Sequence, residues 1–305
     1  MERSATRQID EVLVGHWTDR QAQTGCTVVI LPEGCVGSGE VRGGAPATRD
    51  FALLDPVNTV CTVDAVVLSG GSAFGLASGD GVMRWLEEQG RGFETAFGPI
   101  PIVVGMSLFD LGVGDPSVRP GPAEGYLASS LATKLSEQTP HEAGLVGAGT
   151  GATVGKWFGP AQQRSGGLGV STVEYGEVIV RAIVAVNAFG FIDDDTTPDL
   201  GSPPERPELG TNTTIGVVVT NAIMPEATFA SPSTKPSTKS LCFQLAQSAH
   251  NGLARAIIPS HTAFDGDAFV AATTAEVEAD PVHLRLMAQE SVEQAIRSVS
   301  AEECG

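Results

Sequence analysis

Several stretches of this chain are almost continuously apolar: CTVVILP (26–32), IPIVVGMSLFDLG (100–112), GEVIVRAIVAVNAFGF (176–191) and TTIGVVVTNA (213–222). A strand with one face in water alternates apolar and polar residues, whereas a strand covered on both faces does not. These runs therefore call for sheets covered on both sides. The cover is present. In LCFQLAQSAHNGLARAI (241–257), Leu241, Leu245, Ala249 and Leu253 recur every four residues, which predicts an amphipathic helix. HLRLMAQESVEQAIRSV (283–299) and GPAEGYLASSLATKL (121–135) predict two more. AVVLSGGSAFGLASGDGVMRWLEEQG (65–90) reads as strand, glycine turn and helix, with Phe74, Val82, Trp85 and Leu86 apolar and Gly90 as the stop. Layered α/β packing follows, and a four-layer αββα sandwich in one domain over residues 1–305 satisfies it.

Charge narrows the function. The net charge is −18 and the pI about 4.5, so the surface repels nucleic-acid phosphates and anionic lipid, and neither is an expected partner. No run approaches the roughly 20 apolar residues that span a bilayer. The opening MERSATRQIDEVLVG has no apolar signal core, which reads as cytoplasmic. Five cysteines (Cys26, Cys35, Cys61, Cys242, Cys304) form no CxxC pair, which argues against a disulfide framework or a zinc site.

Three segments carry candidate chemistry. VGAGTGATVGKW ends near Lys156, one of four lysines, but Thr150 and Trp157 stand where a phosphate loop needs Gly and Ser/Thr. Lys156 is either a lysine at an exposed turn or one that glycine backbone brings close to a reacting centre. In LSGGSAFG (68–75), the N–H groups of Gly70 and Gly71 could face an anion, or the glycines could simply make a tight turn. FDGD (264–267) offers Asp265 and Asp267, which point the same way if Asp267 begins a strand; a hydrated turn is the alternative, and no calcium-loop spacing surrounds them. The five histidines show no HExxH and no pairing, and no serine lies in GxSxG.

A fourth feature is a junction. The acidic, proline-rich DDDTTPDLGSPPERPEL (193–209) reads as an exposed linker, and the strand after it begins at Asn212-Thr213-Thr214. A threonine hydroxyl is a weak nucleophile without a base beside it. A threonine made N-terminal by cleavage carries that base as its own α-amine. The residues alone leave open the simpler reading, two β-forming threonines entering a strand.

Eight ordered blocks then resemble one family: VGHWTD (14–19), TGCTVVILPEG (24–34), VRGGAPATRDFALLDP (41–56), LSGGSAFGLASGDGVMRWLEE (68–88), FDLGVGD (109–115), GAGTGATVGK (147–156), NTTIGVVVTNA (212–222) and GLARAIIPSHTAFDGDAFVAATT (252–274). The chain resembles the self-cleaving hydrolases that include L-aminopeptidase/D-Ala-esterases, β-peptidyl aminopeptidases and nylon-oligomer hydrolases. The resemblance implies an αββα sandwich like that of N-terminal-nucleophile hydrolases but with different connectivity. It implies autocatalytic cutting into subunits 1–212 and 213–305 that stay associated, usually in a higher oligomer. It implies a threonine nucleophile, Thr213, released by cleavage after Asn212, with Asp265, Asp267, Lys156 and Asn187 around it and no cofactor or metal. Asn187 would donate to the oxyanion, with Gly70 or Gly71 assisting, and Asp267, braced by Asp265, would orient the Thr213 terminus. Phe109 departs from the tyrosine of the nylon-oligomer hydrolases. The substrates implied are small peptides, amino-acid amides or aliphatic oligoamides. An acyltransferase of the ornithine acetyltransferase type and a non-catalytic remnant are the competing readings.

Overall fold

The apolar runs become strands with both faces covered. The computed structural model describes residues 8–135, 143–193, 197, 199–201, 212–223 and 237–301. In chain order its strands are β1 (Leu13–Asp19), β2 (Thr24–Ile30), β3 (Val36–Val41), β4 (Thr48–Arg49), β5 (Ala65–Ser69), β6 (Val103–Ser107), β7 (Thr133–Lys134), β8 (Thr153–Val154), β9 (Arg164–Ser165), β10 (Gly167–Tyr175), β11 (Val178–Val186), β12 (Phe191–Ile192), β13 (Ile215–Ile223), β14 (Ile257–Ile258) and β15 (Ala268–Glu278). The helices are α1 (Ser78–Glu88), α2 (Pro122–Ser130), α3 (Thr238–Ala256) and α4 (Pro281–Ala301).

Two sheets form the centre. One has six strands in the order β4-β6-β5-β2-β1-β7, the other five in the order β10-β11-β13-β15-β3. Side-chain alternation builds the layers. On β11, Ile179, Ile183 and Ala185 face the six-stranded sheet and pack with Val29, Val66, Leu68 and Met106. Val180, Ala182, Val184 and Val186 face the other way and pack with Leu241, Leu245, Leu253, Leu284 and Met287 of α3 and α4. The outer face of the six-stranded sheet, with Val28, Ile30 and Val67, is covered by Val82 and Leu86 of α1 and Ala128 of α2. The order α, β, β, α is the expected sandwich. Among the described residues no helix is long and apolar enough to cross a membrane.

Some local expectations change. The helix at 121–135 stops at Ser130, and Thr133–Lys134 instead pair with β1 as an edge strand. Phe74 lies in a 3-10 turn ahead of α1 and is exposed, with the Arg119 guanidinium 4.1 Å from its ring centre. Residues 41–56, with two glycines and two prolines, contain β4 and a 3-10 turn, Phe51–Leu54. Strands β1, β3 and β10 carry weaker apolar runs and gain their place from neighbours rather than from their own pattern. Most of the linker expected at 193–209 lies outside the described residues.

Candidate active site

Register alone gathers three distant segments at one end of the five-stranded sheet. β11 and β13 are antiparallel, with Ala185 opposite Ile215, so Asn187, just beyond β11, meets Thr213, just before β13. β13 and β15 are parallel, with Ile215 opposite Ala268, so Thr214 meets Asp267. Hydrogen bonds continue these ladders past the strand ends. Thr213 N–H donates to the Asn187 carbonyl at 2.7 Å, and Ala268 N–H to the Thr214 carbonyl at 3.2 Å. Thr214 N–H donates to Asp267 Oδ1 at 2.8 Å.

The glycine-rich segment adds the lysine. Gly155 and Lys156 donate their backbone N–H groups to the carbonyls of Gly190 and Phe189. That pairing lays Lys156 beside the end of β11, where its Nζ donates to Asn187 Oδ1 at 2.9 Å. Thr153 N–H donates to the same oxygen at 2.9 Å, and Asn187 Nδ2 donates to the Phe109 carbonyl at 2.9 Å. Asn187 is thus clamped on both halves of its amide, with a second Nδ2 proton still to give. Burial pushes the Lys156 ammonium down to about 7, partly offset by the charge of Asp265.

The two aspartates are buried and have separate partners. Asp265 Oδ1 accepts from Phe189 N–H at 3.1 Å, and its Oδ2 accepts from the N–H and hydroxyl of Thr262 at 3.0 and 2.5 Å. Burial, then the charge of Asp267, raises Asp265 to about 6. β15 begins at Ala268, one residue after Asp267. Asp265 therefore braces the loop that carries Asp267 rather than bonding to Asp267.

The scissile candidate lies inside this cluster. Asn212, Thr213 and Thr214 are 1%, 3% and 0% exposed. The Thr213 hydroxyl donates to the Asn212 carbonyl oxygen, so it sits against the carbonyl group of the Asn212–Thr213 bond. Among the described residues the buried Asn212 side-chain amide and Thr214 hydroxyl find no hydrogen-bond partners. Unmade bonds of this kind are costly, about 1–3 kcal/mol per group.

Two expectations need correction. Gly70 N–H donates to the Gly25 carbonyl, and Gly71 N–H donates to Asp110 Oδ1 at 2.7 Å. Each amide has one proton and has given it, so neither is a free oxyanion donor here. Instead the glycines seat Asp110: a Cβ on Gly70 would lie 2.1 Å from Asp110 Oδ2. The second correction concerns the histidines, which do pair. His261 Nδ1 lies 2.8 Å from Asp267 Oδ2, and the rings of His250 and His261 stack edge to face at 4.9 Å. The signal was the SHT of SHTAFDGD, too short and too common to single out beforehand.

A clustered threonine, lysine, asparagine and two aspartates at a strand end matches hydrolytic chemistry, and the comparisons agree. Residues 7–303 match peptidase family S58. The chain belongs to peptidase family S58. As a family member it is a hydrolase of peptide or amide bonds. An uncharacterized aminopeptidase of Mycobacterium leprae (strain TN) is 40% identical to this S58 chain over 305 residues, covering 89% of the chain and 78% of the relative. A 6-aminohexanoate-oligomer endohydrolase of Kocuria sp. (strain KY2) is 28% identical over 292 residues, covering 88% and 74%. The solved L-aminopeptidase D-Ala-esterase/amidase of Ochrobactrum anthropi, described as a variant of the Ntn hydrolase fold, shares the architecture at TM-score 0.66 and 18% identity, over 96% of this chain and 84% of that one.

Proposed function

We propose that this S58 chain cuts itself between Asn212 and Thr213 and then hydrolyses amides with Thr213 as an N-terminal nucleophile. The observation that carries the reading is the Thr213 hydroxyl lying against the carbonyl of its own preceding peptide bond, among Lys156, Asn187 and Asp267.

In the uncut chain the Thr213 hydroxyl attacks the Asn212 carbonyl carbon. Lys156, tuned to about 7, takes the hydroxyl proton and then stands as a cation beside the negative tetrahedral oxygen. The C–N bond breaks as that proton passes to the Thr213 nitrogen, leaving an ester between Asn212 and the threonine oxygen. Water hydrolyses the ester to a free Asn212 carboxylate and the Thr213 hydroxyl, leaving Thr213 with the amine that the C–N cleavage freed. The buried, unpartnered Asn212 amide favours its own departure, because leaving restores its hydrogen bonds to water.

The mature site repeats the chemistry on a substrate amide. The Thr213 amine keeps the Asn187 carbonyl as its anchor, and Asp267 holds the following peptide N–H. The second Nδ2 proton of Asn187 serves the oxyanion. Fragments 1–212 and 213–305 stay together. Peptides and amino-acid amides are the first substrate class, following the mycobacterial relative's name, and aliphatic oligoamides the second. The test is the denatured mass of purified protein. Two fragments bounded at 212/213, with an N-terminal threonine on the smaller, support the reading. A chain that stays intact through long incubation yet hydrolyses amides refutes it.

A further inference from the structure

Both ring nitrogens of His261 face atoms that can only accept. Nδ1 lies 2.8 Å from Asp267 Oδ2, and Nε2 lies 3.4 Å from the main-chain carbonyl of His250. A carbonyl oxygen never donates, and neither does an ionised carboxylate. A neutral imidazole would point a lone pair at one of these oxygens. Only the doubly protonated ring gives a hydrogen to each. We infer that His261 is held as an imidazolium against Asp267, and that it is a positioning residue for the Thr213 centre. This assignment rests on the reading of Thr213 as nucleophile.

The surroundings agree from every side. The His261 backbone N–H also donates to Asp267 Oδ2, at 3.2 Å, so one residue grips one oxygen twice. His261 takes up a positive φ of 53° to do so, a conformation that most residues avoid. His250, on α3, donates from Nε2 to the Glu40 carbonyl at 3.0 Å, and burial holds its ring down to about 3, so it is neutral and adds no charge. Arg42, on the segment after β3, gives its backbone N–H to the Asp267 carbonyl, while its guanidinium is engaged by the Glu40 carboxylate at 3.0 Å. Asp265, two residues from Asp267, adds a second negative charge, and Lys156 answers that one. His261 is the cation in contact with Asp267 itself.

The consequence reaches the nucleophile through one carboxylate. Asp267 Oδ1 receives the Thr214 N–H, which fixes the backbone next to Thr213. An ionised Asp267 accepts that proton strongly; a neutral one, beside Asp265, accepts it weakly. The histidine's charge stands 2.8 Å from the other oxygen of the carboxylate that holds Thr214 N–H.

His261→Asn separates charge from shape. Asparagine tolerates positive φ and places an amide N–H where Nδ1 stood, so the fold and the bond to Asp267 survive while the charge is lost. Two readouts apply: the rate of self-cutting and amide hydrolysis against pH, and the 15N shifts of the His261 ring at pH 7. The shifts are measured in the native protein and in uncut Thr213→Ala, and assigned by their loss in His261→Asn. The assignment predicts both ring nitrogens protonated, both rates down about tenfold in His261→Asn, and a changed pH profile. A ring with one bare nitrogen overturns it, as does a His261→Asn protein with native rates and profile. If the native chain never cuts at 212/213, the threonine reading fails, and the ring nitrogens still decide the charge on His261.

Discussion

The two sheets end side by side at the site, yet they treat their last residues differently. At the end of the five-stranded sheet, Asn187, Thr213, Thr214 and Asp267 come from segments up to 80 residues apart and bond across strands. At the end of the six-stranded sheet, the residues bond among themselves. The Ser107 hydroxyl lies within 3.0 Å of the carbonyls of Ser69, Gly70 and Ser72, and Asp110 takes the Thr24 hydroxyl at 2.6 Å and the Gly71 N–H. The six-stranded sheet reaches the cluster through the Phe109 carbonyl, which accepts from Asn187. One edge gathers side chains around the Asn212–Thr213 bond; the other is a brace behind them. Changes in the first should alter rate, and changes in the second should alter stability.

The largest effect belongs to Thr213→Ala. It should leave one folded chain of 31.4 kDa and lower amide hydrolysis by roughly 10⁴-fold or more, read by denatured mass and a substrate assay. Lys156→Met comes next, with cutting slowed about 10²- to 10⁴-fold. In the native protein the cutting rate should rise as pH climbs through about 7, because the neutral amine is the base. The sign for stability follows from the same depressed value. Between about 7 and 10.5 the unfolded chain binds a proton that the folded chain does not, so native stability rises with pH across that window. Lys156→Met should lose that rise in denaturant titrations run at pH 6, 8 and 10.

The brace should answer differently. Gly70→Ala forces a Cβ towards Asp110 Oδ2 and the Thr24 hydroxyl and should cost about 1–3 kcal/mol, seen as a lower Tm, with activity per folded molecule within about threefold of native. A Gly70→Ala chain that melts normally but fails to cut would erase the distinction between the two edges. The smallest effect is expected for Phe109→Tyr. Its ring is half-buried and its contribution to the site is a backbone carbonyl, so stability should move by less than about 0.5 kcal/mol.

How far the sequence could be read follows the same division. The covered strands and their helices were legible, because unbroken apolar runs and a spacing of four have few alternatives. Lys156, Thr213, Asp265 and Asp267 lie in the ordered motif blocks, and Asn187 was named through the resemblance those blocks carry. Their contacts were not legible, since these depend on the β11-β13-β15 register, which joins residues that no local pattern links. His261 was hidden for a similar reason: its carboxylate partner is six residues on, and its ring neighbour, His250, comes from α3. The Gly70 and Gly71 amides misled for the opposite reason. A glycine turn before a helix looks like an anion site until a buried aspartate 40 residues on is found to fill it. Strands β3 and β10 were missed because edge strands tolerate polar residues that interior strands do not, and β1 because only two residues of β7 pair along its outer side.

The strand order of the five-stranded sheet has one more consequence. A cut at 212/213 would give β13 and β15 to the smaller piece and β10, β11 and β3 to the larger. The smaller piece then supplies the middle of a sheet whose two flanks belong to the other. Neither piece owns the whole of that sheet, so they cannot part by sliding; two ladders must tear at once. Assembly of separately unfolded pieces would become a meeting of two molecules, dependent on concentration, where the intact chain had folded alone. Under the proposed cut, the bond that makes folding a one-molecule event is the bond the chain would spend, so each molecule would get that easy route once.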